Sequence, residues 1–156
     1  MRSPAPFFIS YAHKDSPDVE RFRDVFEPLL ESSSGFAFCE WMDQLILPGE
    51  RWLAEIRLAL DRSRFGLLLV SPRFLGSEFI TQTELPVLLD KPTVVPVALH
   101  HIAFDGSMDL KGLDNRQVFR DSKGRTFDAC RTMQGRRQFA AELFSQIDAL
   151  LRKYPC

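Results

Sequence analysis

Cysteine is scarce in this chain of 156 residues, and Cys39, Cys130 and Cys156 form neither a CxxC pair nor a Cys/His pattern of zinc-ligand spacing. That argues against a disulfide framework and a structural zinc site, and reduced thiols in a cytoplasmic protein are the expectation. Excess charge is also lacking: 20 basic residues against 21 acidic ones leave a formal net charge of -1, which offers no global attraction to nucleic acid or to an anionic membrane. No apolar run approaches the roughly 20 residues of a membrane helix. The opening residues MRSPAPFFISYAHKD turn polar after three strongly apolar positions, unlike a signal peptide, so a soluble chain is expected. Glycine loops of the GxGxxG or GxxxxGKS/T type are missing, which disfavours the dinucleotide-fold and P-loop readings. No GxSxG elbow supports a serine nucleophile, and the adjacent His100 and His101 have no spaced third ligand for a metal. With no repeat, low-complexity tract or linker, residues 1–156 read as one domain.

What the chain does carry is a succession of short apolar runs separated by helical patterns. Residues 65–70, FGLLLV, are almost wholly apolar, as suits a strand covered on both faces of a parallel sheet. Residues 6–11, 36–42 and 93–99 read as further strands, with Pro96 weakening the central pairing of the last. Between them, Ser16 and Pro17 look like an N-cap and a first helical proline. Val19, Phe22, Val25, Phe26, Leu29 and Leu30 then recur at helical spacing to about residue 31, with Pro28 distorting the last turn. Trp52, Ile56, Ala59 and Leu60 mark a second helix, and a third is expected from residue 78 onward, after Gly76 and an N-cap at Ser77. Signals weaken from 100 to 135, where a last strand is expected near 117–119. Phe139, Leu143, Ile147, Leu150 and Leu151 mark a closing amphipathic helix. Alternating strands and helices imply an α/β fold with a parallel sheet and helices on both faces. The 14 phenylalanines predict an aromatic core.

Candidate chemistry gathers where strands end. Glu84 shares a helical stripe with Ile80 and Leu88, so one carboxylate sits among residues that favour burial, and Pro86 places a kink beside it. A surface glutamate is the plain alternative. Ser10, Tyr11, His13 and Asp15 follow the first strand, in a loop that should share an edge with the turn from Ser71 to Ser77; loop hydrogen bonding and capping is the pattern-based role. Asp43, at the end of the second strand, has the polarity to bind a ribose hydroxyl or to cap a turn. The loop 44–51, QLILPGER, sets Leu45, Ile46 and Leu47 before the turn pair Pro48-Gly49, so apolar residues stand where a partner or the core must cover them. The mixed charges Arg116, Arg120, Lys123 and Arg125 among Asp114, Asp121 and Asp128 read as solvated surface.

Taken together, the segments FFISYAHKD, ILPGERW and LLLVSPRFLGSEFITQTELP, in that order and spacing, resemble a Toll/interleukin-1 receptor (TIR) domain of the bacterial, NAD+-cleaving kind. The resemblance is strong over residues 6–99 and rests on length and the closing helix thereafter. It implies a flavodoxin-like three-layer sandwich with a central parallel sheet of about five strands. It also implies an NAD+ nucleosidase, activated by self-assembly in bacterial immune signalling, that gives ADP-ribose or a cyclic isomer, with NAD+ as substrate and no bound cofactor. The glutamate after the third strand, matched by Glu84, is then the catalytic residue. Ser10, Tyr11, Asp43, Leu47, Trp52, Ser71, Ser77, Phe79 and Ile80 become expected substrate contacts, and Leu45, Ile46, Leu47, Pro48 and Gly49 the assembly loop. Several active relatives carry WxxxE; here Ile80 holds the tryptophan position, with Phe79 beside it. A regulatory sensor region or partner fits the same picture, as does a non-catalytic adaptor that joins TIR domains. A nucleoside deoxyribosyltransferase-like enzyme would share the sheet order and a glutamate nucleophile.

Overall fold

The computed structural model describes residues 1–41, 52–77, 80–81, 85–90, 92–113 and 117–155. Four strands, β1 (Ser3–Ser10), β2 (Phe36–Glu40), β3 (Phe65–Val70) and β4 (Val94–Ala98), form one sheet in the order β2-β1-β3-β4. Every pairing is parallel, with Phe7 opposite Phe65, Leu68 opposite Pro96, and Ser3 opposite Phe36. Among the described residues, five α-helices connect and close the strands: α1 (Ser16–Glu31), α2 (Trp52–Arg62), α3 (Pro72–Gly76), α4 (Leu85–Leu89) and α5 (Met133–Lys153). The result is an α/β, flavodoxin-like arrangement.

Strand periodicity sorts the core into two layers. Phe7 and Ile9 of β1, with Leu67 and Leu69 of β3, pack on one face against Phe22 and Phe26 of α1 and Phe139, Leu143 and Ile147 of α5. Phe8, Leu68 and Val70 face the other way and meet Leu60, Phe74, Leu75, Ile80 and Leu85. Alternate residues of a strand point to opposite faces, so a run as apolar as β3 requires both faces to be covered. All six residues of β3 are buried, as that requirement demands.

The expected aromatic core is present on the first face. Phe7 stacks on Phe65 with centroids 5.0 Å apart, and Phe22 on Phe26 at 4.9 Å. Phe139 meets Phe119 and Phe127 edge-on at 5.1 and 5.4 Å. Such offset and edge contacts add to plain burial because the ring edge is positive and the face negative.

Several boundaries correct the sequence reading. The sheet has four strands where about five were expected, because among the described residues the segment around 117–119 pairs at one residue, Phe119, opposite Val97. There the Phe119 N–H donates to the Pro96 carbonyl at 2.8 Å and the Ala98 N–H to the Phe119 carbonyl at 2.9 Å. Pro96 is therefore accommodated: its N–H and carbonyl positions face that outer edge, so the missing donor takes nothing from the ladder to β3. β1 begins at Ser3 rather than Pro6, and β2 stops at Glu40. Ser16 is the first residue of α1 and not its cap, which falls on Asp15. A short helix, α3, precedes the one expected from residue 78 and starts at Pro72 with Ser71 as N-cap; Pro86 lies in α4, and the kink expected beside Glu84 falls on residues 82–84, outside the described residues. Among the described residues no helix is long and apolar enough to cross a membrane.

Candidate functional site at the switch between β1 and β3

The chain runs from β1 outward to β2 and then returns to lay β3 on the opposite side of β1. That reversal of strand order is a topological switch point, and the carboxyl ends of the strands at such a point are the usual ligand position in open α/β sheets. Two turns meet at that edge. One is the 3-10 turn His13–Asp15 after β1; the other is Ser71 with α3 after β3.

Asp15 is the centre of the arrangement, and its side chain is fully buried. The Ser71 hydroxyl donates to its Oδ2. Arg73 Nη1 donates to its Oδ1 at 3.3 Å and to the Lys14 carbonyl at 3.1 Å. His100, just past β4, places Nδ1 3.8 Å from the same Oδ1 and Nε2 2.7 Å from Asp18 Oδ2 at the start of α1. Burial raises the Asp18 carboxyl, but hydrogen bonds from His100 and Arg21 outweigh it and leave the group below its ordinary value. Ser71 also accepts the Phe74 N–H at 3.0 Å, the N-cap bond of α3. One serine hydroxyl thus joins a buried carboxylate to the first turn of a helix. Among the described residues no group of His, Cys, Asp and Glu side chains is disposed to hold a metal ion.

The other expected positions are spread over several elements. Ser10, the last residue of β1, is buried, and Tyr11 follows half-buried under the Arg23 guanidinium, 5.8 Å from its ring centre. Arg23 in turn pairs with Glu40 at the end of β2. Ser10, Tyr11 and Ser71 are therefore brought to one edge of the sheet. Ser77 closes α3: its hydroxyl accepts the Ile80 N–H at 3.4 Å and its carbonyl the Thr81 N–H at 3.0 Å. Ile80 is buried in the second core layer, and Trp52 opens α2. Glu84, Asp43, Phe79 and the loop residues Leu45, Ile46, Leu47, Pro48 and Gly49 lie outside the described residues.

A family model for the TIR domain matches residues 7–132. The chain belongs to the TIR-domain family. The match runs from β1 past the 3-10 turn Phe127–Ala129, so it includes the stretch beyond residue 99 in which motifs were faint. No curated protein matches the chain. Within this TIR domain, sequence reasoning placed Asp15 in a hydrogen-bonding loop but missed Arg73 and His100 as its partners. The available signal was positional: all three follow the carboxyl ends of strands that turn out to be neighbours.

Proposed function

We propose that this TIR domain is an NAD+ nucleosidase that cleaves the bond between nicotinamide and ribose to give ADP-ribose or a cyclic isomer. The observation that carries the reading is Glu84, which in the sequence of this TIR-family chain matches the glutamate expected after the third strand, three residues past Thr81. As nicotinamide departs, positive charge grows on the ribose, and a fixed carboxylate stabilises that state more than the ground state. Glycosidases meet the same demand with carboxylates. The pyridinium leaving group needs no proton, so one carboxylate suffices.

Self-association through the apolar loop 44–51 belongs to the same reading. Release of nicotinamide by the purified protein, followed with and without conditions that promote assembly, tests it. Product formed by the wild type and lost in Glu84→Gln is the expected result; equal rates in the two proteins refute the assignment.

A second reading has its own observation. Ile80 holds the position of the tryptophan in WxxxE and is buried in the core, which supports a non-catalytic module that recruits other TIR domains. Absence of NAD+ turnover in the assembled protein decides for that module.

A further inference from the structure

We propose that Asp15 is a positioning residue, which fixes the start of α3 by orienting the Ser71 hydroxyl, and so sets where the chain that leads in sequence to Glu84 departs; the proposal rests on the nucleosidase reading. An isolated carboxylate is costly to bury, and an apolar residue of similar size would commonly be at least as stable in its place. Asp15 is nevertheless fully buried, and the cation nearest it, Arg73, is 60% exposed and so shared with solvent.

The geometry is directional. A hydroxyl has one proton to give, and the Asp15 carboxylate takes it, so the Ser71 lone pairs are left to face the Phe74 N–H. From there the hydrogen bonds continue along the chain. Leu75 N–H donates to the Ser71 carbonyl at 3.1 Å, Ser77 N–H to the Phe74 carbonyl at 3.2 Å, and Thr81 N–H to the Ser77 carbonyl at 3.0 Å. Thr81 is three residues before Glu84 in the chain. A helix of five residues such as α3 cannot hold itself in water, so its start must be pinned from outside. The burial of Phe74, Leu75 and Ile80 keeps the segment on the sheet, but apolar contact is non-directional and tolerates sliding. The charged bond from Asp15 to Ser71 is what sets its direction.

The test pairs Asp15→Asn with Ser71→Ala and Ser71→Thr, and reads amide hydrogen exchange together with NAD+ kinetics of the assembled protein. Exchange at Leu75, Ser77 and Thr81 should rise about tenfold in Asp15→Asn and Ser71→Ala, the protection lost with one hydrogen bond, while Leu67 to Leu69 of β3 stay as in the wild type. The kcat should fall about ten- to a hundredfold with KM little changed, because a displaced catalytic group costs rate more than binding. Ser71→Thr, which keeps a hydroxyl, should restore both readouts. If Asp15→Asn fails to fold, as exchange in β3 would reveal, Ser71→Ala carries the same comparison with the carboxylate and Arg73 left in place. Unchanged exchange at Leu75, Ser77 and Thr81, or wild-type kcat in a folded variant, overturns the positioning role. Failure of the nucleosidase reading looks different: the assembled wild type then releases no nicotinamide at all.

Discussion

At Glu84 the proposed chemistry depends on one charge, and the size of its effect can be bounded. Removing a single fixed stabiliser of transition-state charge typically costs about 10²–10³ in kcat. Glu84→Gln keeps the side chain's shape and hydrogen-bonding reach, so it should lower nicotinamide release by at least about a hundredfold while assembly, read by light scattering, is unchanged. A loss of assembly in the same variant would show that the residue acts in packing. The serine at the end of β3 illustrates what a sequence can and cannot say about a single side chain. Ser71 was legible as the residue that stops the strand, because Pro72 follows it. Its partner was not, because Asp15 lies 56 positions earlier and only the return of β3 to the side of β1 makes them neighbours. Polar contacts of that span depend on topology before they depend on residue type.

Elements were more legible than contacts, and for a physical reason. A strand covered on both faces must be apolar throughout, so β3 showed itself as FGLLLV. The fifth strand position did not, since among the described residues Phe119 alone pairs there, and one residue has no period. The helix expected from residue 78 with Ser77 as its cap agrees with the described residues, where the Ser77 hydroxyl accepts the Ile80 N–H and its carbonyl the Thr81 N–H; what did not show itself was α3, whose five residues are too few to display a repeat. By contrast α5 runs for 21 residues with Phe139, Ala140, Leu143, Ile147 and Leu151 buried along one stripe. Phe139 bridges Phe119 at the sheet edge and Phe127 in the loop, so Phe139→Ala should cost about 3–5 kcal/mol, checked by urea unfolding. The expected assembly loop 44–51 calls for a different experiment. If its apolar residues join TIR domains, Leu47→Glu should abolish assembly and NAD+ cleavage together while leaving the unfolding free energy in urea within about 0.5 kcal/mol of the wild type. Activity that survives the loss of assembly would separate catalysis from association.

Across the whole molecule, the two layers of core are held to the sheet by apolar contact, which does not titrate, and acid sensitivity must therefore reside in a few carboxylates. Asp121 is the clearest of them. Its side chain is 1% exposed and accepts the Arg125 N–H at 2.7 Å, the Arg125 Nε–H at 2.8 Å and the Lys123 N–H at 3.1 Å. Gly124, with φ of +74°, closes the same turn in a conformation other side chains adopt only under strain. Burial raises the Asp121 carboxyl, but these donors outweigh it and hold it below its ordinary value, as His100 and Arg21 do for Asp18. A carboxyl depressed in the folded state binds fewer protons there than in the unfolded chain at the same pH. Its contribution to stability is therefore complete above the ordinary carboxylate value of about 4, and is lost as the pH falls below that through the folded value. Urea unfolding of the wild type between pH 6 and pH 2 should show a plateau that turns downward near pH 4. Asp121→Ala should lower the plateau by about 1–3 kcal/mol, the loss expected for hydrogen bonds to a charged group, and should flatten the acid limb. An acid limb as steep in Asp121→Ala as in the wild type would place the proton uptake elsewhere, with Asp18 as the next carboxylate to replace.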